Sequence, residues 1–367
     1  MGHLVRFSAP RLAEVVDVDD PIAGDGEALV HTLYSGISAG TELTGYRGSN
    51  PYITRTWKPD ERLFVPGQSD DFYPKDGWGY EEVGRVAAVG AGVDPGLAGS
   101  LVWGTWGHRS SVVLPADHVS QRVLPSGSTV VTGIFSEVGA IALNAILDAD
   151  IHVGETVVVF GAGVPGQIVA QLARLNGARV VVVDLVPGRR ELAQRLGASS
   201  TIDPVADDVG ARVREMTDNR GADVVIEMSG SYAALHEAIR TAAYSSRVVV
   251  AGFFQGPATP VRLGEEFHHN RVSVIGSQIS GVQPGLSHRW DKLRMSRTVF
   301  ELEQAGQLQL TDLITHTVPA REAPAAFAML DTCTTPVSPW GHGERLTSPT
   351  VNTSQPLAEW LVRLRGP

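Results

Sequence analysis

The spacing of apolar residues changes character near residue 125. Residues 1 to about 125 carry short apolar runs broken by Gly and Pro, ALVHTLYSGIS, EEVGRVAAVGAGV, SLVWGTWG and SSVVLPADHV, which predict a β-rich, barrel-like unit. From Thr129 the period lengthens, and GIFSEVGAIALNAILDA reads as a helix. Beyond it the runs ETVVVF, ARVVVVD, DVVIEMS, SRVVVAGF and RVSVIGS alternate with the amphipathic stretches VPGQIVAQLARLNG, GRRELAQRLG and SYAALHEAIRTAA. Strands that are apolar on both faces need helices over both, so this alternation predicts an α/β fold with a doubly wound parallel sheet.

The helical stretch KLRMSRTVFELEQAG, then LITHTVPA and APAAFAMLD, is expected to return the chain to its first unit. The expected division is therefore 1–125 for the first β-rich part, 126–279 for the parallel-sheet domain and 280–330 for the return. Residues 331–367 are expected to form a tail, because half of residues 331–356 are Ser, Thr or Pro, with LAEWLVRLR closing it as a short amphipathic helix. Residues 46–80 hold Tyr46, Tyr52, Trp57, Phe64, Phe72, Tyr73, Trp78 and Tyr80 without visible strand alternation. That segment reads equally as a substrate lid or as a loop packed on its own aromatics.

Composition narrows the partners. With 367 residues the chain exceeds what one core usually supports, and its net charge of −10 argues against nucleic acid or an anionic membrane surface. A small molecule is the expected ligand. The first residues lack the apolar run of a signal peptide and no stretch reads as a membrane span, so a cytoplasmic location is expected. The single cysteine, Cys333, excludes an intrachain disulfide and a cysteine-built metal site.

The clearest chemistry lies in VVVFGAGVPGQIVAQL, where Gly161, Gly163 and Gly166 form G-x-G-x-x-G after a buried strand and at the start of a helix. Gly161 permits the tight turn, Gly163 lets a pyrophosphate approach the backbone, and Gly166 lets helix and strand pack closely. Val164 and Pro165 open the helix, whose N-terminal N–H groups favour phosphate. Asp184 ends the next strand about 20 residues on, the distance expected of a ribose-binding acid. A carboxylate there accepts from the 2′-hydroxyl and repels a 2′-phosphate, which favours NAD over NADP, although Arg189 nearby could accommodate the phosphate. Ser229, Gly252, Phe253 and Ser277 follow successive strands and are candidates for the remaining cofactor contacts.

The phrases SGISAGTE, GYEEVGRVAAVGAGV and VVVFGAGVPGQIVAQLARLNGARVVVVD, in this order of units, resemble the medium-chain dehydrogenase/reductase superfamily over residues 1 to about 330. The resemblance implies a Rossmann domain with a GroES-like β-rich catalytic domain and hydride transfer at nicotinamide C4. It also implies a substrate held between the domains and a homodimer. Most alcohol dehydrogenases of that superfamily bind a catalytic zinc through a cysteine in S-G-I-C-G-T-D and a histidine in G-H-E. Here Ser38 stands near the cysteine position, Tyr80 stands at the histidine position, and Glu137 remains as a possible third ligand. A set made of Glu81, Glu137 and His108 would be rich in oxygen, which suits zinc poorly. No metal ligand is therefore assigned. The chain is most similar to the zinc-less subgroup that includes hydroxyethyl-bacteriochlorophyllide dehydrogenase-like enzymes, and it departs from the family after Asp331, where a final strand belongs.

Without zinc, a side chain must handle the substrate's hydroxyl proton. Tyr80 is the first candidate, with Glu81 to orient it, and Thr41 and Ser38 nearby as hydroxyls. The competing readings are a buried aromatic for Tyr80 and local backbone satisfaction for Ser38 and Thr41. His108 reads as a surface or packing residue. The expected activity is an NAD-dependent dehydrogenase acting on a secondary alcohol or polyol. A quinone or enoyl reductase of the same superfamily and a non-catalytic NAD-binding sensor are the alternatives.

Overall fold

The computed structural model describes residues 1–67, 72–334 and 359–364, which cluster as two compact units. One contains Met1–Glu137 together with residues 316–334 and 359–364, and the other is Val138–Thr315.

The second unit is built on six parallel strands in the spatial order Ser200–Ile202, Arg179–Val183, Thr156–Phe160, Ala222–Glu227, Ala242–Val250 and Ser273–Gly276. The chain lays two strands outward from Thr156–Phe160 in one direction and three in the other, so its topological switch lies beside the first strand. Val158, Phe160, Val181, Val183, Val225 and Val248 form a core with Val209, Val213, Ala238 and Ile239 of the covering helices. Burial on both faces explains why these strands read as unbroken Val/Ile runs. The strand Ser200–Ile202 and the helix Val209–Met216 were not legible in advance, being too short to show a period.

The first unit is β-rich. Its main sheet runs Ile314–Pro319, Glu359–Arg363, Glu27–Ile37, Glu82–Val89 and Leu101–Gly104, with Ser111–Pro115 also paired to Glu27–Ile37. A smaller sheet joins Leu12–Val18, Gly2–Ala9 and Lys75–Asp76. Phe7, Tyr46 and Phe327 interlock edge-on and stacked at 4.9–5.7 Å in a core that also takes in Ile37, Leu43, Val362 and Leu364.

Four expectations need correction. The closing segment is a strand, with Trp360, Leu361, Val362 and Arg363 opposite Ile37, Gly36, Ser35 and Tyr34, so the final family strand is present. Leu361 and Val362 are both buried, and an open sheet edge with apolar cover on both sides favours pairing over an amphipathic helix. The rest of the expected tail, residues 335–358 and 365–367, lies outside the described residues. The return to the first unit comes near 316 instead of 280, because the helix Lys292–Gln304 buries Met295, Val299 and Phe300 in the second unit, with Val299 pressed on Gly139. The run Val130–Ala149 is, by length and composition alone, apolar enough to cross a bilayer, with a mean hydropathy of 1.8. Since 78% of that window is buried inside the protein, the apolarity is satisfied by its own core.

Residues 46–80 also contain a hairpin that no alternation announced, Arg55–Lys58 against Leu63–Pro66. Its aromatics meet one another, Tyr52 and Trp57 both against Phe64 at 5.3 and 5.0 Å, and Phe72 contacts Tyr73 and Trp78 at 4.9 and 5.7 Å. Tyr46 leaves this group for the core.

Candidate functional site

In the second unit, the residues selected for cofactor binding all follow the carboxyl ends of the parallel strands. Gly161 has φ +91°, and a Cβ there would lie 2.9 Å from the Ser229 nitrogen. A Cβ on Gly166 would stand 1.8 Å from the Gly161 oxygen, so only glycine lets the helix Val164–Leu175 approach the turn this closely. Gly163 differs: it caps that helix with extended backbone, and among the described residues none but its own chain neighbours comes within 4 Å of where its Cβ would be. The turn thus leaves space at one glycine and fills it at the other two. Val164 and Pro165 form the first helical turn.

Asp184 follows the strand Arg179–Val183 and is buried. One carboxylate oxygen accepts from the Ala162 N–H at 2.7 Å, the other from the Val186 N–H at 2.8 Å, and the Arg189 guanidinium lies 3.6 Å away. Gln167 donates to the carbonyls of Ala162 and Arg189, tying the glycine turn to the Asp184 loop. These N–H donors fix Asp184 while each oxygen retains a lone pair for a hydroxyl.

Farther along the crest, Glu227 was missed by sequence reasoning, although it opens the E-M-S-G phrase. Its buried carboxyl accepts from Ser229 N–H at 2.8 Å, from the Ser229 hydroxyl, and from Gly230 N–H at 3.1 Å. Burial pushes its pKa up to about 7 against the pull of these donors. Gly252 faces the same group, where a Cβ would lie 2.6 Å from Glu227 Oε2 and 2.3 Å from the Gly230 nitrogen. Phe253 beside it is exposed, and Ser277 donates its N–H to Val250 and accepts from the Asn144 amide at 3.2 Å.

In the first unit, Ser38 follows the strand Glu27–Ile37, and Thr41 caps the helix Glu42–Arg47. The Tyr80 phenol donates to Ser38 Oγ. Burial and the negative charges of Glu81 and Glu42 push that phenol well above its ordinary pKa, against the hydrogen bonds of Ser38 and Thr41. The structure therefore brings Ser38, Thr41, Tyr80 and Glu81 together. Glu81 is buried and its carbonyl accepts from Gly36 N–H at 2.7 Å.

Behind this pair lies a buried chain that the sequence did not announce. His108 is fully buried, which excludes the surface half of its reading as a surface or packing residue. Its Nε2 is 2.7 Å from Glu42 Oε2 and its Nδ1 is 2.6 Å from Ser35 Oγ, which in turn donates to Glu82 Oε1 at 2.9 Å. Trp106 N–H supplies the other Glu82 oxygen at 2.7 Å. Burial disfavours the imidazolium, but the charge and hydrogen bond of Glu42, with Glu82 beyond, outweigh it and raise the His108 pKa. Burial likewise raises Glu82, against the charge of His108 and the Ser35 hydroxyl.

A Rossmann dinucleotide-binding unit with a GroES-like β-rich unit is the class of fold that this topology and glycine turn define. Residues 163–296 match the family model described as zinc-binding dehydrogenase. The chain is 30% identical over 326 residues to D-guloside 3-dehydrogenase of Escherichia coli K12, covering 87% of this chain and 93% of that protein. It is 28% identical to L-threonine 3-dehydrogenase of Pyrococcus horikoshii, covering 83% and 87%. The solved structure of 2R,3R-butanediol dehydrogenase from Bacillus subtilis matches 99% of both chains with a TM-score of 0.74 at 21% identity, a likeness of fold. The chain belongs to the zinc-binding dehydrogenase family of the medium-chain dehydrogenase/reductase superfamily.

The family name implies a metal, and the side chains at Ser38 and Tyr80 are not the donors zinc usually takes. Ser38 and Tyr80 offer neutral hydroxyls bonded to each other, and His108 is committed on both ring nitrogens. Among the described residues no three His, Cys, Asp or Glu side chains are grouped to hold an ion. Zinc prefers nitrogen and sulfur donors, which Ser38 and Tyr80 lack.

Proposed function

We propose that this protein is an NAD-dependent, zinc-independent dehydrogenase that moves a hydride between a secondary alcohol or polyol and nicotinamide, within the zinc-less subgroup similar to hydroxyethyl-bacteriochlorophyllide dehydrogenase. The observation that carries this reading is the Ser38–Tyr80 hydroxyl pair, with Tyr80 standing where the resemblance expects histidine and Ser38 near where it expects cysteine. When bound, the cofactor supplies the hydride acceptor at nicotinamide C4. Gly161, Gly163, Val164, Pro165 and Gly166 would hold its diphosphate, with the open space at Gly163 as the observation that fits it. Asp184 would take the ribose hydroxyls and oppose a 2′-phosphate, while Arg189 is already drawn to Asp184. Ser229, Gly252, Phe253 and Ser277 would line the remaining crest.

The chain's own residues account for the oxygen chemistry. A raised phenol stays protonated at neutral pH, so Tyr80 acts as a donor. Its O–H is hydrogen-bonded to Ser38 Oγ, so in the reducing direction the substrate oxygen takes the Ser38 proton and Ser38 takes the Tyr80 proton. Alcohol oxidation runs the relay backward, from substrate hydroxyl to Ser38 to a Tyr80 phenolate, and is favoured at alkaline pH. Such a donor stabilises negative charge on that oxygen, the task a Lewis acid performs in zinc-dependent relatives. A homodimer is part of the proposal, supported by the strand Ser273–Gly276, which among the described residues has a sheet neighbour on one side only and exposes Val274.

The test follows nicotinamide absorbance with methyl D-guloside, L-threonine and 2R,3R-butanediol, with and without a chelator, alongside metal analysis of the purified protein. Turnover that persists in chelator is expected, and Tyr80→Phe should lower kcat about 10²-fold with NAD affinity unchanged. Stoichiometric zinc, or full turnover in Tyr80→Phe, would overturn the proposal.

A further inference from the structure

The buried chain behind the hydroxyl pair has a direction that can be read from proton counting. Ser35 carries one hydroxyl proton, and it is placed to donate to Glu82 Oε1 at 2.9 Å. The bond between Ser35 Oγ and His108 Nδ1 at 2.6 Å then needs its proton from the imidazole. His108 Nε2 faces a carboxylate oxygen of Glu42 at 2.7 Å, which also needs a proton from the ring. With Glu42 and Glu82 both ionised, both ring nitrogens are donors, and the chain runs from an imidazolium outward to Glu42 on one side and through Ser35 to Glu82 on the other. The charged groups facing His108 are Glu42 from the helix Glu42–Arg47 and Glu82 from the strand Glu82–Val89, and the ring of Phe327 closes the pocket at 5.7 Å.

This chain touches the hydroxyl pair from two directions. Glu42 spends its second oxygen on the Ser38 N–H at 3.2 Å, fixing the backbone that carries the Ser38 hydroxyl. Gly79, which precedes Tyr80, has φ +148°, and a Cβ there would lie 3.0 Å from His108 Nε2 and 3.2 Å from Glu82 Oε1. The segment carrying Tyr80 is therefore laid directly against the imidazole. Ser38 and Tyr80 come from chain segments about 40 residues apart, and one buried side chain braces both.

We infer that His108, clamped between Glu42 and the Ser35–Glu82 pair, is the positioning residue that holds the Ser38 and Tyr80 hydroxyls in register for the substrate oxygen. The inference rests on the function proposed above. It adds Glu42, Ser35 and Glu82 as the partners through which His108 acts, none of which touches substrate. A hydroxyl pair displaced by about 1 Å costs on the order of 10²-fold in rate while leaving cofactor binding intact.

The experiment compares His108→Gln, Glu42→Gln and Ser35→Ala with wild type and with Tyr80→Phe in the full chain, using whichever of the three alcohols above turns over fastest. kcat, KM and NAD affinity are measured across pH, and imidazole nitrogen NMR is recorded on the wild type and His108→Gln. His108→Gln should lower kcat about 10- to 100-fold with KM and NAD affinity changed by less than about threefold. The alkaline fall in kcat caused by loss of the imidazolium should be absent from that variant. The NMR signal lost in His108→Gln should belong to a ring protonated on both nitrogens at neutral pH. Ser35→Ala leaves the Glu42 contact and the fold in place, so its smaller loss of kcat guards against failure of His108→Gln to fold. Unchanged kcat in both His108→Gln and Ser35→Ala, or a neutral imidazole at neutral pH, would overturn the inference. If Tyr80→Phe keeps full turnover, the proposed function falls and this inference with it. If Tyr80→Phe is impaired and the His108 and Ser35 variants are not, this inference alone falls.

Discussion

Two glycines three residues apart should fail in different ways when replaced by alanine. In Gly166→Ala the new methyl would stand 1.8 Å from the Gly161 oxygen. Because the closest comfortable carbon–oxygen approach is about 3.3 Å, the helix or the turn must retreat by about 1.5 Å. Overpacking of that kind costs about 1–3 kcal/mol, and each kcal/mol lowers the melting temperature of a domain this size by about 2–4 °C. In Gly163→Ala the methyl meets, among the described residues, none but its own chain neighbours within 4 Å, and the backbone at φ −66° suits alanine. The loss of a glycine N-cap should cost no more than about 1 kcal/mol. The same methyl would occupy the space assigned to the diphosphate, so NAD affinity should fall at least about 10-fold, or about 1.4 kcal/mol. Thermal scans with and without NAD, together with calorimetric titration, separate the two outcomes. Gly163→Ala should melt near wild type and lose the NAD-induced shift, while Gly166→Ala should melt lower before any ligand is added. Unchanged NAD affinity in Gly163→Ala would refute the placement of the diphosphate, and an unchanged melting point in Gly166→Ala would refute the helix–turn contact.

Other expectations follow from the same geometry. Asp184→Ala should narrow the preference for NAD over NADP by removing the carboxylate that opposes a 2′-phosphate, and a Kd ratio equal to wild type would mean the ribose lies elsewhere. Glu227 sits at about 7 when folded against an ordinary 4.5, so the folded chain holds its proton more tightly between those values. Its contribution to stability is therefore largest below about pH 4.5 and declines as pH rises toward 7, by up to roughly 3 kcal/mol. Glu227→Gln should flatten that part of the melting-temperature profile, and an unaltered slope would contradict the assignment. Ending the chain at residue 358 removes the strand Glu359–Arg363 and exposes the partner edge of Glu27–Ile37. Such a truncation should melt several degrees lower or accumulate as aggregate, and native stability would show that the strand is dispensable.

The dinucleotide half was legible from sequence because its information is local. A buried strand, a glycine turn, a helix and an acid at fixed spacing occupy less than thirty consecutive residues, from Thr156 to Asp184. Gly166 has its reason within that span, in the carbonyl of Gly161, and doubly buried strands announce themselves by composition alone. The grouping of Ser38, Thr41 and Tyr80 was legible as well, from the phrases SGISAGTE and GYE.

Tertiary structure decided what distance along the chain hides. His108 stands 66 residues from Glu42 and 73 from Ser35, and a lone histidine in W-G-H-R carries no mark of a raised pKa until folding places carboxyl groups beside it. The segment LAEWLVRLR was as compatible with a helix as with a strand, and the open edge of Glu27–Ile37 settled the matter. Val130–Ala149 had the apolarity of a membrane span, and only its packing shows that its own core absorbs it. Sequence determines local conformation and the chemistry available. Burial and charge pairing depend on which distant residues meet, and those meetings fix protonation, register and exposure.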